Sequence, residues 1–186
     1  MRIIGGTHRG RTLKTIDGKN VRPTASRTRE ALFNILQHTL NEQGNIVMHQ
    51  ARFADICCGS GSIGLEALSR GVPHVDFYDN HAKSLACARE NAALLSLLPQ
   101  CCFMQHNAQN LPRANTPYDI IFADPPYYGT ISNDIAFQLV EKNWMHSHTF
   151  FITEQHKTES EIHHEDFNLD KERCYGAAII RFYTLK

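Results

Sequence analysis

The chain has 186 residues, 42% of them hydrophobic and 20% charged, the size and make-up of one folded domain and not of a disordered segment. No apolar run reaches the roughly 18 residues of a membrane helix, and the leading MRIIGGTHRGR has neither an apolar h-region nor a cleavage site, so a cytoplasmic protein without membrane contact is expected. The formal net charge of zero hides an asymmetry: residues 1–30 hold eight Lys or Arg against two acidic residues, and the rest hold eleven against seventeen. A basic head on an acidic body points to an anionic partner on one side.

Residues 1–24 read as short strands and turns: RII, then GG, then RGRTLK, then a DGKN turn. From Ser26 the pattern turns helical. Leu32, Ile35, Leu36 and Leu40 share a stripe with Phe33 beside it, and Thr24 or Ser26 can cap the start. After a polar connection over 41–50 the chain alternates. Strands are predicted over 52–56, 74–79, 101–105, 118–124 and 149–154. Helices are predicted over 62–71, closed by Gly71, over 81–97, stopped by Pro99, and near 131–143. Two more strands flank Gly176, near 167–175 and 177–184. Such alternation implies an α/β fold: a doubly wound, mostly parallel sheet covered on both faces, with an antiparallel C-terminal hairpin.

The six cysteines include the adjacent pairs Cys57–Cys58 and Cys101–Cys102, with no C-x-x-C spacing. They read as thiols in a reducing compartment. The eleven histidines include His163–His164, but neighbouring side chains point apart on a strand and diverge on a helix, so no metal site is expected.

Two stretches carry chemistry. The first is DICCGSGSIG, 55–64, where Gly59, Gly61 and Gly64 spell G-x-G-x-x-G between a strand and a helix. Glycines let backbone approach a ligand, and the helix start offers free amides. Those amides suit a pyrophosphate or a carboxylate equally. Asp55 favours the second, because an acid ahead of the loop repels a diphosphate but pairs with an ammonium group. S-adenosylmethionine carries an ammonium, a carboxylate and a sulfonium at one end. Asp79 ends the second strand, where an acid accepts both ribose hydroxyls, and Asn107 with Ala108 follows the third strand on the adenine side.

The second stretch is FADPPYYG, 122–129. Proline has no amide hydrogen, so the strand must stop at Asp124. In an open α/β sheet ligands bind at the carboxyl ends of strands where the order reverses, which sets Asp124 beside the glycine loop. An acid and a neighbouring proline carbonyl form two acceptors that can hold the exocyclic NH₂ of a nucleobase. Tyr127 offers a platform for the extruded base, worth about 1–3 kcal/mol. Catalysis is then mainly alignment of nitrogen, methyl carbon and sulfur. A C5-pyrimidine enzyme needs a Pro-Cys nucleophile, and in LPQCC (98–102) a glutamine intervenes.

In order along the chain, RIIGGTHRGRTLK, VRPTASRTREALFNIL, DICCGSGSIGLEALSRG and FADPPY resemble the bacterial 16S rRNA guanine-N2 methyltransferases of the RsmD type. That resemblance implies a class I methyltransferase fold with a seven-stranded sheet, S-adenosylmethionine as donor and S-adenosylhomocysteine as product. It also implies a 16S rRNA substrate, within the small subunit or an assembly intermediate, and a monomer. By position it implies a donor set of Asp55, Cys57, Gly59, Ser60, Gly61, Asp79, Asn80, Asn107, Ala108 and Asp124. The catalytic set is Asp124, Pro125, Pro126 and Tyr127, and Arg9, Arg11, Arg22, Arg27 and Arg29 hold RNA. Residues 1–24 become a basic RNA-contacting hairpin extension and 25–186 the methyltransferase domain. Departures are Ser26 where an aspartate is common, His81 where an acid often follows the ribose acid, and Cys57–Cys58 in place of Phe-Ala. Three alternatives stand beside this reading. They are methylation of adenine N6 or another nucleobase amine on RNA or DNA, a dinucleotide-dependent oxidoreductase, and a non-catalytic RNA-binding assembly factor.

Overall fold

The computed structural model describes residues 1–16, 26–44, 46–126 and 130–186, with backbone alone at 41–43. Seven strands form one sheet: β1 (Arg52–Ile56), β2 (His74–Asp79), β3 (Cys101–Gln105), β4 (Tyr118–Ala123), β5 (Met145–His156), β6 (Phe167–Tyr175) and β7 (Ala178–Leu185). Their order is β3-β2-β1-β4-β5-β7-β6. The first five run parallel, and β7 runs antiparallel to both β5 and β6. The helices among the described residues are α1 (Ser26–Gln43), α2 (Ser62–Ser69), α3 (Ala82–Leu94) and α4 (Ile131–Glu141). The α/β, doubly wound sheet with an antiparallel C-terminal hairpin is thus present as expected.

Alternation along the strands divides the core in two. Phe53, Val75, Phe77, Ile120 and Phe122 face α1, α2 and α3 through Leu32, Phe33, Leu36, Leu65, Leu85 and Ala88. Ala54, Ile56, Tyr78, Ile121 and Ala123 face the other way, onto α4 through Ile135, Ala136 and Leu139, with Trp144 buried beside them. Each central strand is apolar on both faces, as burial on two sides requires.

Boundaries differ from the sequence expectation where local caps decide. Helix α3 ends at Leu94, three residues short of the predicted end. Ser96 takes a left-handed conformation (φ 59°), and Leu97 N–H donates to Ala92 O (2.8 Å), a six-residue closure that ends the helix before Pro99. Pro99 belongs to the short turn Leu98–Gln100 that follows. Helix α4 closes two residues early in the same way, with Asn143 at φ 60° and Trp144 N–H bonded to Leu139 O (2.9 Å). Strand β5 is longer than the predicted 149–154, since it pairs with β4 from Met145 and with β7 as far as His156. Its polar start, with His146 and His148, masks the strand pattern.

Residues 1–16 form an arm. Arg2 and Thr12 make an antiparallel bridge, and Ile3 and Leu13 are buried in the same core as α1. The arm is fastened to α2: Ile4 and Gly5 N–H donate to the two oxygens of Glu66 (2.8 Å each), and Thr7 N–H to Ser69 O (2.8 Å). The expected division at 24/25 falls outside the described residues, as do Thr24 as a cap and the DGKN turn. Among the described helices none is long and apolar enough to cross a membrane.

Candidate active site

Strand order reverses at β1, which connects through α2 to β2 on one side and pairs with β4 on the other. The crevice expected there is a cavity of about 550 Å³ at the carboxyl ends of β1, β2, β3 and β4, a volume suited to a small-molecule ligand. Asp55, Cys57, Gly59 and Ser60 line it from the end of β1, Asp79 and Asn80 from β2, and Asn107 and Ala108 from beyond β3. Asp124, Pro125 and Pro126 line it from the end of β4. Ile56 and Ala123 are register partners, so the glycine loop and the Asp-Pro-Pro segment leave adjacent strands at the same height.

The glycine loop is held open by two acids. Asp79 Oδ2 accepts from Gly59 N–H (2.9 Å), and its Oδ1 accepts from His81 N–H (2.8 Å). One carboxylate thus ties the loop to the start of α3 at its own position on the cavity wall. Asp55, 1% exposed, accepts from Gly64 N–H through Oδ2 (2.9 Å), satisfying an amide of the first turn of α2. Burial pushes its pKa up to about 7; the Gly64 bond opposes this and the neighbouring Asp79 charge adds to it. Gly59 (φ 55°) and Gly61 (φ 76°) adopt the left-handed backbone the loop requires. Gly61 is not among the cavity lining: a Cβ there meets Ala88 at 2.9 Å, so its role is close approach to α3. A Cβ at Gly59 meets nothing within 4 Å.

The fit of these residues to S-adenosylmethionine rests on that cradle. Gly59 leaves room for a ligand, the two carboxylates on the wall are acceptors of the kind an ammonium and ribose hydroxyls require, and the mixed lining suits an amphipathic molecule. Cys57, with φ 59°, is a thiol whose pKa is pushed far up, first by burial and then by Asp79, Asp124 and Asp55. It remains protonated and is no nucleophile.

Tyr127, the expected base platform, lies outside the described residues, and so does Arg22. Arg9, Arg11 and Arg27 are exposed. Arg29 is not, and its expected role in holding RNA is corrected here: it is 0% exposed. Its guanidinium pairs with the equally buried Glu66 (3.6 Å) and donates to Arg2 O. A charge buried in that way serves the fold.

One group of potential metal ligands occurs among the described residues, His74, Asp76 and Cys102, with donor atoms within 4.8 Å. It lies toward the amino ends of β2 and β3, away from the cavity. Asp76 is already satisfied there by His74 Nε2 (3.0 Å), the Tyr118 hydroxyl (2.6 Å) and Arg52 (3.7 Å), so the cluster reads as the shell of one buried acid.

Sequence reasoning missed several lining residues. Met1, Thr15 and Ile16 of the arm reach the cavity, as do His106, Gln109 and Ile131. Gln109 Nε2 donates to Asp134 Oδ2 (2.7 Å), and Thr130 Oγ1 donates to the same oxygen (3.2 Å). The segment after β3 is thereby joined to the exit of the Asp-Pro-Pro segment. No motif marks these positions.

Comparison with known proteins fits this geometry. The family model described as conserved hypothetical protein 95 matches residues 1–184. The chain is 31% identical over 193 aligned residues to the ribosomal RNA small subunit methyltransferase D of Haemophilus influenzae, covering 98% of this chain and 93% of that one. An Escherichia coli structure, provisionally assigned as a methyltransferase, superposes with a TM-score of 0.85 at 29% identity, covering 100% and 98% of the two chains. A Salinibacter ruber RNA methyltransferase bound to S-adenosyl-L-homocysteine shares the fold (TM-score 0.67, 13% identity, 88% and 94% coverage).

Proposed function

This chain belongs to the RsmD family, the methyltransferases grouped as conserved hypothetical protein 95, and on that premise we propose that it methylates small-subunit rRNA. The donor is S-adenosylmethionine and the acceptor is the exocyclic N2 of a guanine. The observation that carries this reading is the shared cavity: Asp124, Pro125 and Pro126 border the same space as Gly59, Ser60, Asp79 and Asn107.

The donor supplies an electrophilic methyl on a sulfonium, a good leaving group, so no covalent enzyme intermediate is needed. Asp55 is the acceptor for its ammonium, Gly59 and Ser60 flank its carboxylate, and Asp79 with Asn80 accepts from its ribose. Asn107 and Ala108 border the adenine. Asp124 and the Pro125 carbonyl accept the two hydrogens of the guanine amine. Held so, the nitrogen is drawn toward sp³ and its lone pair is freed from the ring. Attack of the nitrogen on the donor's methyl carbon would break the carbon–sulfur bond with its electrons left on sulfur, and Asp124 or water would take the proton that the nitrogen then sheds. Orientation supplies most of the acceleration. Tyr127 is the stacking platform that repays extrusion of the base.

Arg9, Arg11, Arg22 and Arg27 hold the RNA backbone, with residues 1–24 as the contacting extension and 25–186 as the methyltransferase domain. The enzyme acts in the cytoplasm as a monomer on rRNA within the small subunit or an assembly intermediate. The test is nucleoside mass spectrometry of small-subunit rRNA after incubation with donor and protein. N2-methylguanosine is expected, and Asp124→Ala lowers turnover by at least about 10²-fold while RNA binding survives. N6-methyladenosine as the sole product, or full activity in the variant, overturns the assignment.

A further inference from the structure

Helix α3 presents an apolar stripe to the sheet, and Asn91 interrupts it. Its neighbours Ala88 and Ala92 are fully buried, and Asn91 itself is 0% exposed. A buried amide must find partners, and those of Asn91 come from two separate segments. Its Oδ1 accepts from Lys14 N–H (2.7 Å), and its Nδ2 donates to Lys14 O (3.1 Å) and to Ser60 O (3.0 Å). The reverse amide orientation would set two donors face to face at Lys14 N–H, so the bonding pattern fixes the side chain. Lys14 belongs to the arm that carries Arg9 and Arg11, and Ser60 belongs to the glycine loop. The next two arm residues, Thr15 and Ile16, line the cavity. The other end of the arm is anchored through Glu66 and Ser69 on α2, the helix that leaves the glycine loop.

We propose that Asn91 is a positioning residue that couples the arm to the donor pocket, so that RNA held by the arm and donor held by the glycine loop strengthen each other's binding. Displacing the arm at Lys14 leaves the buried Oδ1 of Asn91 without the amide it accepts from and Nδ2 with one backbone acceptor fewer, held by Ser60 O, which is costly. Arm position and the Ser60 carbonyl are therefore one cooperative unit. A ligand that fixes either segment lowers the ordering cost met by the other, and by linkage the effect is reciprocal. Thr15 and Ile16 extend the same coupling, because an ordered arm completes the cavity wall.

This inference rests on the rRNA methyltransferase reading, and the experiment separates the two. Binding of S-adenosylhomocysteine is measured by calorimetry without and with a saturating small-subunit rRNA transcript. The wild type is expected to bind at least about fivefold tighter with RNA present. Asn91→Ala is expected to bring that ratio to near one while each ligand alone still binds. Lys14→Pro, which removes the amide that Asn91 accepts, is expected to do the same from the arm side, and it decides the matter if Asn91→Ala does not fold. A merely structural asparagine would lower the melting temperature and leave the ratio unchanged. A ratio near one in the wild type, or an undiminished ratio in Lys14→Pro, overturns the coupling. Failure of the wild type to bind either ligand at all instead overturns the reading on which it rests.

Discussion

On Asp55 burial and the proposed donor ammonium act in opposite senses. Burial holds its pKa up at about 7, well above the roughly 3.9 of an exposed aspartate. Between those values the folded chain keeps a proton that the unfolded chain releases. The contribution of this group to stability therefore declines as pH rises through the window and is fully lost above about 7. A donor ammonium favours the carboxylate, so binding below pH 7 must expel that proton. We expect the dissociation constant for S-adenosylhomocysteine to rise about tenfold between pH 8 and pH 6, with net proton release seen by calorimetry in buffers of different ionisation enthalpy. Asp55→Asn should remove this dependence; a wild type with flat affinity over that range would rule out the ammonium partner. Asp55 and Asp124 were legible in the chain because each stands at a strand's end just ahead of a glycine or proline segment, and Asp79 because it ends the strand that follows the glycine loop and its helix. Arg29 was misread from its charge, although its spacing holds the answer. It stands three and four residues before Leu32 and Phe33 and seven before Leu36, on the buried stripe of α1, and is neutralised there by Glu66. Asn91 gave the equivalent signal, a polar residue on an alanine stripe, and only the fold identifies what it bonds.

At the level of elements, α2 lies close against β2 because one glycine permits it. A Cβ at Gly64 would fall 2.3 Å from Phe77 Cε1 and 2.8 Å from Val75 Cγ1, and both side chains are fully buried and cannot retreat. Gly59 differs, with a left-handed backbone and open space where a Cβ would go. The two substitutions should separate in their effects. Gly64→Ala is expected to lose up to about 3 kcal/mol of stability through overpacking. Gly59→Ala should lose about 1 kcal/mol from backbone strain, and its clearer effect should be weakened donor binding, since its Cβ intrudes on the cavity. Urea unfolding and donor calorimetry on both variants check this; equal stability losses would mean that the helix–strand approach is not the constraint. The third glycine of the motif was thus legible as a pattern, whereas its packing role depends on register that no local pattern carries. The same holds for element ends. Strand cores over 52–56, 74–79 and 101–105 followed from apolar runs between glycine and proline, but α3 and α4 stop at left-handed Ser96 and Asn143. There, buried side chains on either side of the turn help decide the closure; asparagine is a usual left-handed residue at such a turn, whereas serine is not.

Over the whole molecule, the charge surplus of the first thirty residues is opposed by an equal deficit in the remainder, and the fold sorts the basic residues by exposure and pairing. Within the described part of the basic segment Arg2, Arg9, Arg11 and Arg27 are exposed. Lys14 is paired with Glu90 at 2.8 Å, and Arg29 is enclosed. The nominal surplus therefore overstates the cations available to a phosphate backbone. Each exposed arginine that meets a phosphate releases counterion, which makes the logarithm of affinity linear in the logarithm of salt. Replacing Arg9, Arg11 or Arg27 by alanine should each lower the slope by about 0.7 to 0.9 and leave S-adenosylhomocysteine affinity in the absence of RNA unchanged. Arg29→Ala should leave the slope of the folded protein alone and instead lower stability by about 3–5 kcal/mol, since Glu66 would be left buried with one fewer partner. Fluorescence anisotropy of a labelled small-subunit rRNA transcript over a salt series, paired with thermal melts, reads both quantities. Unchanged slopes in all three exposed variants would move the RNA face away from the arm, and a reduced slope with intact stability in Arg29→Ala would return that residue to the surface. Because the acidic remainder repels polyanions wherever the arm is not engaged, the arginine variants should also narrow the gap between rRNA and an unrelated RNA of the same length. They remove the attractive contribution and leave the repulsive one in place.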